Sequence, residues 1–366
     1  MALLIRNYSG EPKLAVVRTD REYDTGHETL YIGGDTVELL SSGFCADKGE
    51  ASEELLAELH AGDIVTVGRH GLIYKMYDSA DRDATVYMTG KCNSNCIMCP
   101  ESDNERRFDD GIDPVWMREY IELLPPELEH IVITGGEPTL NTGLFFEVMC
   151  KLKEKYDNRD ILLLTNGRSF ASKSMVERLS ACRPGLLTAA VPLHGHTAEL
   201  HDSISRASGS FRQSCLGVGN LKSIGALIEI RVVVSKLNCQ YLSNIADFIL
   251  EMFPYADIVN FVGLEVMGNC AKNRADVYID YVDAFPYVKP AIHRLLASGI
   301  DAALYNFPLC AVEPGFWPLC KKSITPSKIR FAEACCECDA KSLCGGVFHS
   351  TLALARPQLT PIHFTN

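Results

Sequence analysis

The chain has 366 residues, 47% of them hydrophobic and 22% charged, which suits one large domain with small additions. Its 35 basic and 47 acidic residues give a net charge of −12 without a basic run, which argues against nucleic acid as a partner. No apolar run reaches the length of a membrane span, and MALLIRNYSG lacks the pattern of a secretion signal. We therefore expect a cytoplasmic protein with no membrane partner.

Residues 1–80 are predicted to form a small β-rich domain. The short alternating segments LAVVRT, DIVTVGRHG and GLIYKMY are punctuated by Gly and Asp, as in half-buried strands joined by turns. A helical segment, ASEELLAELH, interrupts them, and Ser52 is a suitable N-cap. One hypothesis for this domain is the recruitment of a peptide by strand addition at an open sheet edge.

Residues 81–307 alternate short apolar segments with amphipathic segments of helical length. The predicted strands are ATVYMTG, IVIT, ILLLTNG, LLTAAVPL, IEIRVVV, IVNFVGL and DAALYNF. The predicted helices are PVWMREYIELL, GLFFEVMCKLKEKY, SKSMVERLSAC, FRQSCLGVGNLKSIG, YLSNIADFILEMF and AFPYVKPAIHRLLASG. This alternation predicts an α/β fold, a partial (β/α)6 TIM-like barrel whose parallel sheet is covered by helices. Active sites of such folds lie at the carboxyl ends of the strands, and the first strand leads into Cys92.

Residues 308–366 have few periodic runs and many Cys, Gly and Pro residues, which predicts a Cys-rich extension held by metal. The chain contains 15 cysteines, which we expect to be reduced thiols. Three fall between positions 92 and 99, and six between 310 and 344. The others are expected to be buried apolar filler: Cys45, Cys150, Cys182, Cys215, Cys239 and Cys270.

Cys92, Cys96 and Cys99 have the spacing C-x3-C-x2-C. Thiolates are the usual ligands of iron–sulfur clusters, which ordinarily take four of them. Three thiolates on one loop can hold three irons of a [4Fe–4S] cluster and leave the fourth iron open to a ligand. The alternatives are a chance group of core cysteines, or a zinc loop whose fourth ligand comes from elsewhere.

A second motif, TGGEP at positions 134–138, directly follows the strand IVIT. Its two glycines allow the backbone to approach a ligand closely, and Glu137 offers a carboxylate to an ammonium group. Alone, the motif would be an ordinary glycine-rich turn between a strand and a helix. Its position one β/α unit after the cysteine loop favours a binding site.

A third group of thiols lies in the extension. Cys310, Cys335, Cys338 and Cys344 provide the four thiolates that an auxiliary [4Fe–4S] cluster needs. A structural zinc ion accepts the same ligands, so the residue types leave zinc open. Cys320 and Cys336 are further candidates, and Cys336 is disfavoured because adjacent cysteines rarely both reach one metal.

The first two motifs resemble the radical SAM superfamily, in which a three-cysteine loop follows the first strand and a GGEP-type motif follows the second. The resemblance implies that a reduced [4Fe–4S] cluster on Cys92, Cys96 and Cys99 splits S-adenosylmethionine (SAM) into methionine and a 5′-deoxyadenosyl radical. The radical then abstracts hydrogen from a substrate carbon. The cofactor supplies this chemistry, while the protein positions the reactants and excludes water and oxygen.

The resemblance also assigns residues around SAM. Gly135, Gly136 and Glu137, followed by Pro138, would contact the SAM amino group. Met98 stands where the family usually has an aromatic residue against adenine, and would provide a softer thioether contact.

Two polar residues on later strands complete the predicted SAM site. Asn166 stands where the family often contacts the SAM ribose or sulfonium, and a turn-forming role in its Asn-Gly pair is the alternative. Arg231 would meet the SAM carboxylate, or would be a half-buried structural arginine.

Residues 80–350 are more specifically similar to the radical SAM maturases of the His-Xaa-Ser system. The extension also resembles the twitch or SPASM-like segments of peptide-modifying radical SAM enzymes. The segments that carry the similarity are TGGEPTL, TNGRSFA, VPLHGHTAELHD, GSFRQS, NLKSIGALIEIRVVV, GLEVMG, YNFPLC, WPLCKKSI and CGGVF. The chain departs from that family before Lys328, where the family has a tryptophan, and in the extra Cys320 and Cys336.

This narrower similarity implies a ribosomal precursor peptide as substrate, with a crosslink as product. It also implies an electron donor such as flavodoxin or ferredoxin, and a second maturase is a candidate partner. The auxiliary cluster would accept the electron left over when a crosslink forms, or hold the substrate. Two other functions stay open: radical SAM chemistry on a small molecule or nucleotide, and a non-catalytic metal-binding scaffold.

Five polar residues after the fourth predicted strand have less specific interpretations. His194, His196 and His201 could transfer protons or bind substrate, but hydrogen-bonded loop histidines are favoured. Asp202 and Arg206 could form a structural ion pair or contact the substrate.

Overall fold

In the computed structural model, which describes residues 3–21, 26–108 and 113–364, the N-terminal region forms a six-stranded sheet. Its strands are β1 (Lys13–Arg18), β2 (Thr29–Gly33), β3 (Thr36–Leu39), β4 (Phe44–Asp47), β5 (Ile64–Val67) and β6 (Ile73–Tyr77), in the order β4-β3-β2-β1-β5-β6. The β1–β2 pair is parallel and the other pairs are antiparallel. Helix α1 (Glu53–Glu58) begins after Ser52, whose hydroxyl accepts a hydrogen bond from the Leu55 amide, so the predicted cap is confirmed.

The second sheet has eight strands, paired in parallel in chain order. They are β7 (Asp83–Tyr87), β8 (His130–Thr134), β9 (Asp160–Leu164), β10 (Leu186–Pro192), β11 (Leu227–Val233), β12 (Ile258–Val262), β13 (Asp301–Tyr305) and β14 (Cys320–Lys321). The seven predicted strands are confirmed, and the two-residue β14 is an addition. β7 and β14 are the sheet's edges, so the barrel is open as predicted.

Helices flank the strands of this barrel. They are α2 (Asp103–Phe108), α3 (Pro114–Leu123), α4 (Thr142–Tyr156), α5 (Lys173–Cys182), α6 (Ala198–Ser205), α7 (Ser210–Ser223), α8 (Leu242–Met252), α9 (Gly268–Lys272), α10 (Arg274–Val277), α11 (Tyr281–Ala297) and α12 (His349–Ala355). The six predicted helices correspond to α3, α4, α5, α7, α8 and α11, whose apolar faces supply much of the core between sheet and helices. In the part of the chain that the structure describes, no helix has both the length and the apolar character needed to cross a membrane.

The Cys-rich extension, residues 308–364 in the structure, is built mainly from short 3-10 turns. A two-stranded antiparallel sheet joins β15 (Ile329–Arg330) to β16 (Val347–Phe348), with Arg330 paired to Val347. Lys328 Nζ reaches Glu265 after β12 at 3.1 Å, so an ion pair connects the extension with the barrel. The extension also contributes β14, which pairs with β13, so it is joined to the edge of the barrel sheet.

The scattered cysteines only partly follow the prediction of buried filler. Cys182, Cys239 and Cys270 are buried, but Cys45 and Cys150 are exposed. Cys45 lies on the edge strand β4 and Cys150 on helix α4, and the side chain of each faces solvent. The interpretation as core filler was therefore wrong for these two positions.

Candidate active site

A cleft of about 520 Å³ opens at the carboxyl ends of the barrel strands. Eight of the residues predicted to form the SAM site line this barrel cleft: Cys92, Cys96, Met98, Cys99, Gly135, Gly136, Asn166 and Arg231. The cysteine loop and Met98 follow β7, the two glycines follow β8, Asn166 follows β9 and Arg231 lies near the end of β11, so the parallel sheet brings them to one edge. Met98 is 5% exposed and packs in an apolar cluster with Leu264 and Val266 beside the cleft.

The cysteine loop, residues 92–99, is fixed against helix α6. The Asn95 amide donates a hydrogen bond to the Ser205 carbonyl at 3.0 Å, and the Ile97 amide donates to the Ile204 carbonyl at 2.9 Å. These two bonds attach the cysteine loop to the carboxyl end of helix α6.

The three thiols are close enough to influence one another's ionisation. Burial, together with the neighbouring Cys99 and Cys92 thiols, raises the pKa of Cys96 to about 12, and burial also raises the pKa of Cys92. A metal must therefore displace these protons when it binds. The described residues contain no set of three His, Cys, Asp or Glu side chains converging on a single ion. A [4Fe–4S] cluster places each thiolate on a different iron, so three thiols along one wall fit it.

Arg106, on α2, is a site residue that sequence reasoning missed. Its guanidinium donates to the Ser94 carbonyl at 2.7 Å and to Asn95 Oδ1 at 3.2 Å, and it lines the barrel cleft. Although burial opposes its charge, the adjacent Cys99 and Cys92 raise the pKa of Arg106. Because a cluster with thiolate ligands is anionic, a half-buried cation beside it is electrostatically favourable.

The two glycines of TGGEP are required by a close approach of two backbone segments. A Cβ at Gly135 would lie 2.3 Å from the Thr89 carbonyl oxygen, and one at Gly136 would lie 2.2 Å from that of Lys91. The Gly136 amide donates to the Thr89 carbonyl at 2.6 Å, and the Glu137 amide donates to the Lys91 carbonyl at 2.8 Å. The glycine turn is thus bonded directly to the residues that lead into Cys92.

Glu137 does not occupy the position that the sequence predicted. Its side chain is fully buried behind the cleft wall and accepts hydrogen bonds from Thr139, Thr165 and the Asn166 amide. Its oxygens are therefore engaged, and the prediction that its carboxylate meets an ammonium group was wrong. Pro138 is also buried, at the start of a 3-10 turn outside the cleft lining.

Asn166 joins the third strand to the cysteine loop. Its Nδ2 donates to Asn93 Oδ1 at 2.6 Å and lies 3.8 Å from Cys92 Sγ, while its Oδ1 accepts from the Arg168 amide at 3.0 Å. The last bond makes an Asx turn, as the alternative interpretation expected. Arg168, another residue missed from sequence, donates to the Asn93 carbonyl and to Ser94 Oγ.

Arg231, near the end of β11, lines the cleft and forms an ion pair with a neighbouring acidic residue. Its Nε donates to the buried Glu229 carboxylate at 2.5 Å, and its guanidinium carbon lies 5.7 Å from the Tyr305 ring centroid. Its two terminal nitrogens are not used by this pair. The side chain is 23% exposed, so a bound anion can still reach it.

The three histidines have different surroundings. His194 is 3% exposed and lines the cleft, with Nε2 4.0 Å from Cys96 Sγ. Burial lowers the pKa of His201 to about 4, and its Nδ1 accepts a hydrogen bond from the His194 amide at 3.2 Å. His196 packs against Tyr241 with ring centroids 5.6 Å apart. Of the three, His201 has the expected hydrogen bond to its side chain, but it lies on helix α6 rather than on a loop.

Asp202 and Arg206 belong to helix ends rather than to the cleft lining. Asp202 accepts hydrogen bonds from the Gly209 and Phe211 amides and thus caps α7. Arg206 donates to Asn273 Oδ1 at 3.4 Å. The suggested pairing of Asp202 with Arg206 was wrong, because the cap engages the carboxylate elsewhere.

A second cavity, the tail pocket, lies within the extension. The four predicted cysteines line it together: Cys310, Cys335, Cys338 and Cys344. Apolar side chains such as Leu309, Val347 and Leu359 also line it. Four thiols in one apolar enclosure are what a buried four-cysteine cluster requires.

Backbone amides point at the thiols of the tail pocket. The Leu309 and Gly346 amides donate to Cys344 Sγ at 3.5 and 3.4 Å, and the Ile362 amide donates to Cys338 Sγ at 3.3 Å. Such N–H···S bonds stabilise thiolates, and they tune an iron–sulfur cluster where one is bound. The other two cysteines are not in the pocket lining: Cys336 is exposed, and Cys320 contacts the Phe316 carbonyl.

Comparisons with known proteins identify the barrel. Residues 86–249 match the sequence model of the radical SAM superfamily. Over 159 residues the chain is 25% identical to an AdoMet-dependent heme synthase of Oleidesulfovibrio alaskensis, covering 43% of this chain and 39% of that protein. Over 270 residues it is 23% identical to the antilisterial bacteriocin subtilosin biosynthesis protein AlbA of Bacillus subtilis, covering 67% of this chain and 58% of that protein.

The chain thus spans less than two thirds of the length of either relative. Among solved structures, native anSMEcpe with bound AdoMet and the Kp18Cys peptide is similar with a TM-score of 0.46 and 15% identity. That similarity covers 60% of this chain and 63% of the other.

Proposed function

Because residues 86–249 match the sequence model of the radical SAM superfamily, we propose that this protein is a radical SAM enzyme and that it modifies a ribosomal precursor peptide. The observation that carries the radical SAM site is the barrel cleft, where three thiols, the glycine turn and two cationic side chains meet. When bound there, a reduced [4Fe–4S] cluster supplies one electron that divides SAM into methionine and a 5′-deoxyadenosyl radical. The thiolates of Cys92, Cys96 and Cys99 would hold three irons and leave the fourth for SAM.

The protein's part in this chemistry is positioning and shielding. The backbone of Gly135 and Gly136 would receive the SAM amino group, and the free guanidinium nitrogens of Arg231 would pair with its carboxylate. Met98 would pack against adenine, and Asn166 would stand beside the ribose. These side chains line a largely apolar cleft, which limits the access of water to a reactive radical.

The tail pocket would hold an auxiliary [4Fe–4S] cluster on Cys310, Cys335, Cys338 and Cys344. Crosslink formation removes two hydrogen atoms from a peptide: one leaves with deoxyadenosine, and the other leaves as a proton and an electron. The auxiliary cluster would accept that electron.

A peptide substrate is supported by the similarity to the subtilosin biosynthesis protein, which covers 67% of this chain. In this proposal residues 1–80 recruit the peptide, residues 81–307 form the barrel and residues 308–366 hold the auxiliary cluster. The recruiting sheet has two edge strands, β4 and β6, at which a peptide strand could be added. An electron donor such as flavodoxin or ferredoxin completes the system, and a second maturase is a further candidate partner.

A second candidate, chemistry on a small molecule, is favoured by the similarity to the heme synthase over 43% of this chain. The two candidates differ in what is transformed. Incubation with the peptide encoded beside the gene should yield a product lighter by two hydrogen atoms in the peptide case. An unchanged peptide mass, in protein that consumes SAM, would favour the small molecule.

The first experiment is anaerobic reconstitution, followed by iron and sulfide analysis and an assay of 5′-deoxyadenosine formation from SAM with a reductant. About eight irons per chain, as two [4Fe–4S] clusters require, together with deoxyadenosine is the expected result. About four irons with one zinc, together with deoxyadenosine, would support the radical SAM activity and would mean that the extension binds a structural zinc ion. Fully loaded protein that forms no deoxyadenosine with peptide present would instead indicate a metal-binding scaffold.

A further inference from the structure

His194 is a buried polar residue of the barrel cleft to which the proposed function gives no role. Its Nδ1 has no hydrogen-bond partner among the described residues, although the side chain is 3% exposed. An unpaired buried nitrogen lowers stability, so packing alone would favour an apolar ring at this position. The other ring nitrogen, Nε2, lies 4.0 Å from Cys96 Sγ, within reach of a hydrogen bond to a large sulfur atom.

The backbone of His194 is held by buried partners. The His194 amide donates to His201 Nδ1 at 3.2 Å, and its carbonyl accepts from Asn238 Nδ2 at 3.2 Å. The imidazole rings of His194 and His201 lie 5.1 Å apart between centroids, at an angle of 33°. These contacts hold His194 in the cleft wall, where Nε2 lies 4.0 Å from Cys96 Sγ.

The other two thiols of the loop have polar neighbours as well. Asn166 Nδ2 lies 3.8 Å from Cys92 Sγ, and the Arg106 side chain interacts with Cys99. Each sulfur that would bind iron therefore has a different donor: an amide, an imidazole or a guanidinium. His194 supplies the imidazole, and its backbone is bonded to the buried side chains of His201 and Asn238.

We propose that His194 Nε2–H donates a hydrogen bond to the Cys96 sulfur when Cys96 ligates the cluster, and that this bond makes the cluster easier to reduce. The inference rests on the proposed cluster site. Reduction adds one negative charge, part of which resides on the thiolate sulfurs, so a donor stabilises the reduced state more than the oxidised one. Hydrogen bonds to ligand sulfur are an established influence on cluster potentials. His194 thus acts on the electron-transfer step without contacting the substrate.

The test compares three variants of the full chain, loaded anaerobically. His194→Phe keeps a flat ring and removes the donor, whereas His194→Gln keeps an N–H group near the position of Nε2. His196→Phe is the matched control, because His196 lies on the same loop, packs against Tyr241 and is not part of the cleft lining. A redox titration followed by EPR spectroscopy gives the potential of the cluster whose signal changes when SAM is added.

We expect His194→Phe to shift that potential to a more negative value, with about a tenfold less favourable reduction equilibrium, which is about 59 mV for one electron. His194→Gln should stay near wild type, and His196→Phe should be unchanged. An unshifted potential in fully loaded His194→Phe, or an equal shift in His196→Phe, overturns the inference. If the proposed cluster site itself is wrong, the wild-type protein gives no SAM-sensitive signal, which is a different outcome.

A second measurement keeps the inference testable if His194→Phe fails to load iron. Wild-type protein labelled with nitrogen-15 histidine should show, in pulsed EPR, a coupling between a histidine nitrogen and the SAM-sensitive cluster. The coupling should be absent from labelled His194→Gln and retained in labelled His196→Phe. A wild-type protein without this coupling would overturn the proposed hydrogen bond.

Discussion

Val347 and Phe348 are consecutive residues of β16, yet Val347 lines the tail pocket and Phe348 lines the barrel cleft. Successive side chains of a strand point to opposite faces, so this two-residue strand contributes to the walls of both cavities. Its antiparallel partner, β15, follows Lys328, whose ion pair with Glu265 connects the extension to the cleft lining. The two cavities are therefore structurally coupled.

The two residues of β16 should be separable by substitution. Val347→Ala removes apolar wall from the tail pocket, so we expect faster loss of the auxiliary iron to a chelator with SAM binding unchanged. Phe348→Leu reshapes the cleft instead, and should weaken SAM binding several-fold with little effect on iron release. Equilibrium binding of SAM and the time course of iron release measure the two effects. A uniform response of both properties to both substitutions would contradict the division of roles.

Replacing one cysteine of the loop should abolish the SAM cluster selectively. Cys96→Ala is expected to reduce the iron content from about eight to about four per chain and to eliminate deoxyadenosine formation, because an iron loses its thiolate. Cys215→Ala is the control and should retain both, because Cys215 is a half-buried thiol on helix α7 that packs against the hydrophobic core. Deoxyadenosine production by Cys96→Ala at the wild-type rate would show that Cys96 is not a ligand of the SAM cluster.

Two adjacent cysteines of the extension provide a matched pair. Cys335 lines the tail pocket, whereas Cys336 is exposed. We expect Cys335→Ala to lose about four irons, since a four-cysteine cluster loses a ligand, and Cys336→Ala to load fully. Iron and zinc analysis of both variants measures this difference and tells a cluster from zinc. Loss of metal from Cys336→Ala alone would reverse the ligand assignment.

The close approach of the glycine turn to the cysteine loop predicts a large effect of one methyl group. In Gly136→Ala the new Cβ would meet the Lys91 and Gly90 carbonyl oxygens, so we expect about 1–3 kcal/mol of destabilisation and weaker iron retention. Gly143→Ala is the control, because the nearest atom to its Cβ is 3.8 Å away. Urea unfolding of both variants gives the free energies. Equal stability of the two would show that the turn can shift away.

The depressed pKa of His201 predicts a pH-dependent stability. Burial keeps the folded imidazole neutral down to about pH 4, whereas the unfolded residue takes up a proton near 6.5. The unfolded state therefore binds more protons as the pH falls, and folding loses about 2 kcal/mol between about pH 7.5 and pH 5 from this residue. His201→Gln should show a correspondingly smaller loss in urea unfolding at the two pH values. Identical pH dependence in both proteins would mean that folded His201 titrates normally.

The barrel was predictable because its strands are short apolar runs with amphipathic helices between them. The strand IVIT, for example, is buried at Ile131 and Ile133, and its neighbour ILLL is buried at Ile161 and Leu163. β14 could not be predicted, because two residues are too few to show an alternating apolar pattern and their pairing depends on β13. The mixed order of the N-terminal sheet, in which β1 lies between β2 and β5, likewise depends on contacts between distant segments.

The candidate site was predictable where chemistry and spacing coincide, as in the three cysteines and the four thiols of the tail pocket. The orientation of Glu137 could not be predicted, because a sequence does not show on which side of the cleft wall a carboxylate lies. In the structure it lies behind the wall, where it accepts hydrogen bonds from Thr139 and Thr165. Arg106 and Arg168 were missed because isolated arginines form no motif. Their role arises only when the fold brings them to the cysteine loop.

The wall of the tail pocket formed by Leu359, Thr360 and Ile362 has a consequence for assembly. During synthesis the four cysteines between positions 310 and 344 leave the ribosome before this wall does, so their thiols are accessible to iron and sulfide until it docks. The wall is then held by the Asp339 amide, which donates to the Ile362 carbonyl at 2.9 Å, and by the Ile362 amide on Cys338 Sγ. In the proposed holoprotein, residues 359–362 would therefore close the tail pocket over a cluster that had been loaded first.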